Sequence, residues 1–339
     1  MTRSQHSVPL ATPSTSPRQA ENPRPELTKA LAGLADVLAT YRTCELATVT
    51  KANQPITWPA VCWFDRDAGQ IVLTTCIGAP LKAFNIRRDP RVALLFSDPT
   101  GSGRSDLPQV LVQGTASCPD EICTSPQGLE SYWRELWRRQ PASSAYGSTP
   151  LDRWLFDFYY MRLVITVRAD AVVTRPPLVR AAPLAAPRPV RGDGSAYGQV
   201  APRLRGYSDA VLATVVGDGA PVLRRVRPSA DPETGTLLLE GADAGQLSGA
   251  TSANLLLHRH DDQLGRLRQF GCVGTLETDK ERVRLRPMRV LTSAEATTPL
   301  ALVRTLRRLR GTTQRYLDRR GLDRPTIPWA EYHRLASES

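Results

Sequence analysis

The sequence predicts a mainly β protein, with two small β-barrels in tandem and helices at the periphery. Three observations predict this fold class. A chain of 339 residues is too long for one ordinary core. Short apolar runs separated by turn residues fill residues 41–175. The same order of runs begins again after residue 206 in a shorter form, which we interpret as a second, degenerate barrel.

The predicted organisation has five parts. They are a disordered N-terminal arm (1–26), a first barrel (27–175), a linker (176–200), a second barrel (201–295) and a basic helical tail (296–339). The arm is rich in Pro, Ser and Thr and lacks the apolar stretch of a signal peptide, while Pro and Ala dominate the linker. No apolar run reaches membrane-spanning length, so we expect a cytoplasmic protein without a membrane partner.

The first copy starts with an amphipathic helix, "PELTKALAGLADVLATY". Three strands follow in "CELATVTKANQPITWPAVCWFDRDAGQIVLTT", separated by the turn sequences "KANQP" and "DRDAGQ". A short basic stretch then leads to the strand "RVALLFSD", a Gly- and Ser-rich loop and the strand "QVLVQGTAS". A helical insert near "GLESYWRELWRRQ" precedes the closing strand "MRLVITVRADAVV". This order predicts a β-meander that closes on itself.

The second copy repeats this order and omits one element. "AVLATVVGDGAPVLRRVRPSADPETGTLLLEG" follows the first three strands, and Gly274 corresponds to Gly114. From Leu239 to Leu255 there are 16 residues, whereas the matching stretch from Leu73 to Leu94 has 21. The second copy therefore lacks the basic stretch, and we expect only the first barrel to bind a ligand through it.

Charge and cysteine content exclude several classes of function. The net charge is +11, and the tail contains the arginine-rich segment "ALVRTLRRLRGTTQRYLDRR". Leu302, Leu306 and Leu309 form one stripe of it, which predicts a surface helix docked on a barrel. No recognised nucleic-acid module accompanies the tail, so nucleic acid is not the expected partner. The six cysteines show no C-x-x-C pair, which indicates neither a disulfide framework nor a zinc site.

The basic stretch "TTCIGAPLKAFNIRRDPRVALLF", residues 74–96, predicts a phosphate-binding site. Thr74 and Thr75 end a strand, Lys82 starts a short helix, and Arg87 follows about one turn later. Hydroxyls and cations that converge on one point are what a phosphate group requires. The alternative for the arginines is that they lie on a solvated helix face, which we favour for Arg88. The alternative for Thr74 and Thr75 is that they are ordinary strand residues.

The same residues resemble the pyridoxamine 5'-phosphate oxidase-like superfamily of flavin- and deazaflavin-dependent oxidoreductases, which also has haem-binding members. The resemblance rests on the threonines, on Lys82, on the step Asp89-Pro90-Arg91-Val92 and on the strand "PQVLVQG". It covers about residues 41–175 and, less clearly, 206–293. It implies two tandem split β-barrels of the FMN-binding type. The implied activity is hydride transfer between an unknown small molecule and FMN or, alternatively, a deazaflavin (coenzyme F-420).

The resemblance also implies which residues contact the cofactor. Thr74, Thr75, Lys82 and Arg87 would bind its phosphate, and Gln109 would approach the ring. The backbone of Pro59, Ala60, Val61 and Cys62 would border the pyrimidine edge of the ring. We nominate no catalytic acid or base, because the hydride chemistry belongs to the cofactor. The substrate signature at the C-terminus of the namesake oxidase is not recognisable, so the substrate stays open.

Three alternatives concern assembly and ligand. Family members usually form the cofactor cleft between two subunits, so this chain predicts a pseudo-dimer of its own two barrels, with a homodimer as the alternative. His258 and His260 in "LLLHRHDD" could instead bind haem iron, although polar residues at a strand end are the simpler interpretation. Lastly, the chain could be a non-catalytic flavin-binding or partner module that uses the arginine-rich tail as its contact surface.

Overall fold

The computed structural model describes residues 25–179, 182–187, 194–247, 249–279, 282–291 and 299–338. Nearly all of the N-terminal arm and part of the linker therefore lie outside the described residues. The helices are α1 (Pro25–Gly33), α2 (Ala35–Thr40), α3 (Leu81–Arg88), α4 (Glu130–Arg139), α5 (Pro150–Tyr160), α6 (Ala196–Val200), α7 (Pro299–Asp318) and α8 (Trp329–Ser337). Within these described ranges, no helix is both long and apolar enough to cross a membrane.

Thirteen strands are described, seven in the first half of the chain and six in the second. The first seven are β1 (Cys44–Val49), β2 (Pro55–Ala60), β3 (Cys62–Asp65), β4 (Gln70–Cys76), β5 (Arg91–Phe96), β6 (Gln109–Ser117) and β7 (Arg162–Arg175). The others are β8 (Ala210–Thr214), β9 (Val222–Asp231), β10 (Thr236–Glu240), β11 (Ser252–Arg259), β12 (Arg268–Asp279) and β13 (Arg282–Leu291).

The two sheets have the same strand order, but only the second is closed. The first sheet runs β2-β1-β5-β6-β7-β4-β3, and the second is a closed barrel of order β10-β13-β12-β11-β8-β9. β9 is continuous and pairs with both β8 and β10. Its counterpart in the first copy is broken at Val61 into β2 and β3, so the first sheet curls round without closing. The predicted fold of two tandem split barrels is confirmed.

One glycine in each copy marks the repeat. The register between β6 and β7 shifts at Gly114, and the register between β12 and β13 shifts at Gly274. A Cβ at Gly114 would lie 2.2 Å from the carbonyl oxygen of Arg168, and one at Gly274 would lie 2.1 Å from that of Arg286. No side chain fits at such distances, so both copies need glycine at the same bulge.

The barrels pack against each other through the outer faces of their sheets. Each barrel has its own apolar interior, and a third apolar cluster joins the two. The buried members of that cluster are Ala47, Ala93, Leu95 and Leu111 from the first barrel and Val211, Ala213, Leu223 and Leu256 from the second. The first barrel contributes β1, β5 and β6, and the second contributes β8, β9 and β11. Of these strands, β1 and β8 are counterparts in the two copies, and so are β5 and β11, as at the interface of a symmetric dimer.

The C-terminal tail returns to the first barrel, where Tyr316, Leu317, Tyr332 and Leu335 join its core. Of the predicted docking stripe, Leu302 is 47% exposed, whereas Leu306 and Leu309 are partly buried. The docked part of α7 lies nearer its C-terminal end, because Tyr316 stacks on Phe84 of α3 with 6.0 Å between ring centroids. The tail therefore supports the helix that carries Lys82.

The described part of the linker packs on the second barrel. The Leu184 amide donates to the carbonyl oxygen of Tyr207 at 2.8 Å, and its side chain is buried in the second core. Val200, at the end of α6, is buried in the same core. The Pro- and Ala-rich composition thus does not prevent these residues from docking.

Candidate functional site

The first barrel is open along one line, which we call the split. It lies between β2 (Pro55–Ala60) and the last three residues of β4, Thr74–Cys76. β3 pairs with β4 only from Gln70 to Leu73, and β2 pairs only with β1. Neither edge of the split is therefore covered by a neighbouring strand of its own sheet. α3 begins shortly after β4 ends, at the same end of the opening.

Lys82 lies in the first turn of α3, at the split. Its Nζ atom is 5.7 Å from the centroid of the Trp58 ring on β2, a cation–π distance. Burial lowers the pKa of Lys82, and the positive charge of Arg162 acts in the same direction. Among the described residues, no carboxylate or other hydrogen-bond acceptor contacts this ammonium group. Lys82 is thus a partly desolvated cation without a counter-ion.

The two threonines have protein partners. The Thr74 hydroxyl donates to the Tyr132 hydroxyl of α4 at 3.0 Å, on the outer side of β4. The Thr75 hydroxyl donates to the carbonyl oxygen of Ala79 at 2.9 Å and is buried. Thr75 therefore fixes the loop between β4 and α3, whereas Thr74 lies on the face of β4 that α4 covers.

Arg87 does not present an open cation, unlike the sequence-based expectation. Its three guanidinium nitrogens donate to the carbonyl oxygens of Cys118 and Pro119 and to the carboxylate of Asp120, the last at 2.6 Å. Arg88 donates to the carbonyl oxygen of Val49 and to Asn85. Because the donors of Arg87 are already used, this residue holds α3 to the segment after β6 instead of facing the split.

The structure adds Arg162, which the sequence-based analysis missed. Arg162 opens β7 and pairs directly with Cys76, so its side chain shares a face of the sheet with Cys76 and Thr74. Its guanidinium carbon lies 3.9 Å from the centroid of Tyr159 and 5.1 Å from that of Trp133. The sequence feature that could have identified Arg162 is its position at the start of an otherwise apolar strand, "MRLVITV".

The segment expected at the ring edge lies at the bend between β2 and β3. Pro59 and Cys62 are buried, and Ala60 and Val61 are partly exposed. Val61 is the residue at which strand pairing changes from β1 to β4. The backbone of Pro59, Ala60 and Val61 thus borders the split, and the structure brings it together with Lys82 on one side of the barrel.

Gln109 lies at the opposite end of the barrel from α3. The other end of β6, at Thr115, pairs with Arg91 just after α3, and six residues of strand separate Gln109 from it by about 20 Å. The Gln109 side chain donates to the carbonyl oxygen of Pro176 at 2.9 Å. The structure therefore does not bring Gln109 to Lys82. The direction of β6 places Gln109 at the end of the strand that lies away from α3.

Residues 32–166 match the family model of pyridoxamine 5'-phosphate oxidase. This match supports the resemblance of the first barrel to the pyridoxamine 5'-phosphate oxidase-like split-barrel superfamily. The match contains the whole split, with Lys82, Thr74, the bend from Pro59 to Cys62, and Arg162. We call the first barrel the oxidase-like barrel from here on. No curated protein matches the chain.

Several solved structures are similar in part. A protein of unknown function from Agrobacterium tumefaciens is 23% identical over 49% of this chain and 60% of its own, with a TM-score of 0.32. An F-420 reductase is 22% identical over 41% of this chain and 94% of its own, with a TM-score of 0.28. The haem storage protein HutZ from Vibrio cholerae is 11% identical over 42% and 92%, with a TM-score of 0.29. The chain thus spans about 60% of the first of these proteins.

The second barrel lies against the β2 side of the oxidase-like barrel. The Thr57 amide donates to the side-chain oxygen of Asn254 at 2.9 Å, and the Asn254 amide group donates to the carbonyl oxygen of Cys272 at 3.0 Å. A small cavity of about 70 Å³ lies between the barrels, and Trp58, Gln269 and Phe270 are among its lining residues. By strand register, Gln269 is the counterpart of Gln109. The second barrel therefore places its own glutamine on the Trp58 side.

The two histidines considered as haem ligands are enclosed between the barrels. Both imidazoles have no exposed surface. The Nε2 atom of His258 lies 2.7 Å from a carboxylate oxygen of Glu45, and that of His260 lies 3.3 Å from the Thr43 hydroxyl. They are not turn residues at an open strand end, because Glu45 and Thr43 of the oxidase-like barrel cover them.

Proposed function

We propose that the chain is a flavin- or deazaflavin-dependent oxidoreductase whose cofactor lies at the split, with its phosphate at Lys82. One observation carries the proposal. Lys82 is a partly desolvated ammonium group at the rim of the split, and none of the described residues offers it a counter-ion. A cation in such a place is costly unless it is paired, and a phosphate group would supply both charge and acceptors.

The other residues of the split would orient the ring. The backbone from Pro59 to Cys62 offers polar groups at the bend between β2 and β3, and Trp58 provides an aromatic face beside Lys82. The cofactor, when bound, supplies the hydride chemistry, so the protein needs only to bind, orient and exclude water. No acid or base among the split residues is required. The substrate in this proposal is an unidentified small molecule.

The second barrel would form the side of the cofactor cleft that a partner subunit forms in other members of the superfamily. Three features support this assignment: the apolar cluster that joins the two barrels, the hydrogen bond from Thr57 to Asn254, and the position of Gln269 near Trp58. One chain would then form one cofactor site. A homodimer would not be needed to complete the cleft.

Haem binding has less support than flavin binding. An axial histidine needs a free ring nitrogen that faces open space. The Nε2 atom of His258 instead forms a close contact with Glu45, in an imidazole without exposed surface. We therefore keep the flavin-type cofactor as the proposal.

Flavin titration of the wild type and of Lys82→Gln tests the proposal. We expect FMN or coenzyme F-420 to bind the wild type, and the loss of one charge-assisted contact to weaken binding about 10- to 100-fold. Lys29→Gln removes a lysine from the exposed side of α1 and should bind as the wild type does. Fluorescence quenching of the cofactor measures both affinities. Equal affinity in all three proteins would contradict the proposal.

The same preparation separates an enzyme from a binding module. The bound cofactor of an oxidoreductase should be reduced or reoxidised in the presence of candidate substrates, which its absorbance spectrum reports. A cofactor that binds through Lys82 and never changes redox state with any substrate would favour the non-catalytic alternative.

A further inference from the structure

We infer that Arg162 is the second cation of the anion site at Lys82, and that the pair selects a phosphate monoester dianion over singly charged phosphates. The inference rests on the proposed function, which assigns the phosphate to Lys82. The sequence indicated Arg87 as the second cation beside Lys82, but Arg87 is paired with Asp120. The inference assigns this role to Arg162 instead. It also states which charge state of the ligand the site fits.

Arg162 is a buried cation without a carboxylate partner among the described residues. The residue is 7% exposed, and its Nε and Nη2 atoms are enclosed without any hydrogen-bond acceptor. The rings of Trp133 and Tyr159 lie against the guanidinium group and hold it in place. The third guanidinium nitrogen, Nη1, is not among these enclosed atoms. The guanidinium group has the Tyr159 side chain as a hydrogen-bond partner, so two of its three nitrogens still lack an acceptor among the described residues.

Other buried arginines of this chain show what is unusual about Arg162. Arg139 is 2% exposed and contacts the carboxylate of Glu135 at 2.5 Å. The side chain of Arg225 is 7% exposed and contacts both Glu45 and Asp209. These two follow the usual rule that a buried charge is paired. Arg162 is enclosed to a similar degree, yet the part of the chain that the structure describes offers it no ion pair.

Lys82 and Arg162 both lie at the C-terminal end of β4. Arg162 is the cross-strand partner of Cys76, and Lys82 lies six residues after Cys76, beyond a tight loop fixed by the Thr75 hydroxyl. The charge of Arg162 lowers the pKa of Lys82, which agrees with that placement. Two positive charges thus converge at one end of the split, and no described acidic residue is paired with either.

The charge count indicates the form of the ligand. A phosphate monoester carries close to two negative charges above its second pKa of about 6, whereas its protonated form carries one. Two charges on the ligand would neutralise Lys82 and Arg162 together. A singly charged phosphate would leave one buried positive charge uncompensated, which is unfavourable away from water. The site therefore fits a monoester such as the one in FMN.

Binding of FMN and of riboflavin, which lacks the phosphate, tests the inference. Arg162→Gln should weaken FMN binding at least 10-fold and leave riboflavin binding unchanged, and Arg162→Lys should recover part of the loss. Arg168→Gln, an exposed arginine on the same strand, is the matched control and should bind both flavins as the wild type does. If Arg162→Gln weakens the binding of both flavins equally, or of neither, the inference is overturned.

The pH dependence tests the charge state directly. Between pH 7.5 and pH 5 the phosphate of FMN gains a proton, so wild-type affinity for FMN should fall severalfold while affinity for riboflavin stays constant. A fall in pH cannot remove a proton from Lys82 or Arg162, so the fall in affinity comes from the ligand. In Arg162→Gln the fall should be smaller. An equal fall in the wild type and in Arg162→Gln would overturn the selection of the dianion.

Inorganic phosphate separates this inference from the proposed function. If no flavin binds the wild type, the proposed function fails, but phosphate should still raise the melting temperature of the wild type and not that of Arg162→Gln. If phosphate stabilises both proteins equally, the anion site itself is wrong. Should Arg162→Gln fail to fold, Arg162→Lys decides: selective loss of FMN over riboflavin supports the inference, and an equal effect on both overturns it.

Discussion

Arg225→Met is expected to lower the free energy of unfolding by about 3–5 kcal/mol. Arg225 of β9 enters the contact between the barrels, where its guanidinium group lies 2.6 Å from the carboxylate of Glu45 and 2.9 Å from the Ser97 hydroxyl. Glu45 is fully buried. Methionine fills a similar volume and leaves the Glu45 carboxylate without its cation, and an unpaired buried charge is strongly destabilising.

Two further variants show whether the charge is the cause. Glu45→Gln combined with Arg225→Met removes the two charges of the buried pair and leaves Asp209, which is 17% exposed, without its arginine, so it should recover part of the lost stability. Asp106→Asn breaks the ion pair between Arg104 and Asp106, whose side chains are 52% and 69% exposed. This change should lower the free energy of unfolding by less than about 1 kcal/mol. Chemical denaturation measures all three. If Arg225→Met costs no more than Asp106→Asn, the buried pair does not hold the barrels together.

Tyr332→Ala is expected to destabilise the oxidase-like barrel by about 3–5 kcal/mol. Tyr332 of α8 is 3% exposed and packs edge-on against Trp133 and Tyr160, with ring centroids 5.0 and 4.7 Å away. Its removal leaves a cavity beside Trp133, the ring that lies against Arg162. The variant should therefore also weaken FMN binding, if Arg162 contacts the phosphate.

Tyr332→Phe separates the ring from the hydroxyl. The Tyr332 hydroxyl donates to the carbonyl oxygen of Thr124 at 3.0 Å, and the loss of that bond alone should cost about 1 kcal/mol. The aromatic packing stays, so FMN affinity should be unchanged. A thermal or denaturant unfolding series reports the stabilities. A loss below about 1 kcal/mol in Tyr332→Ala would mean that the C-terminal tail is not part of this core.

The sequence indicated those features that depend on local patterns and on the repeat. Alternating apolar runs predicted the strands, and the correspondence of Gly114 with Gly274 predicted two barrels, because the same bulge needs glycine in each copy. Lys82 could be found because it lies a few residues after the strand whose threonines accompany it. These relations extend over short stretches of chain, or repeat at a fixed distance.

Features that depend on distant contacts could not be found in this way. The carboxylate that occupies Arg87 is 33 residues later, and the one beside His258 is 213 residues earlier. Arg162 is enclosed by Trp133 of α4 and Tyr159 of α5, with the tail residue Tyr332 packed behind Trp133. The distance of Gln109 from Lys82 follows from the direction of β6 in the first sheet. A linear pattern contains none of this information.

The number of cofactors per chain tests the central claim most directly. Flavin titration of a preparation whose molar mass is determined by light scattering gives both the stoichiometry and the assembly state. We predict that a single chain, alone in solution, binds one cofactor at the split of its oxidase-like barrel. Binding that occurs only in a dimer, or affinity that survives in full when Lys82 is replaced, would contradict the account.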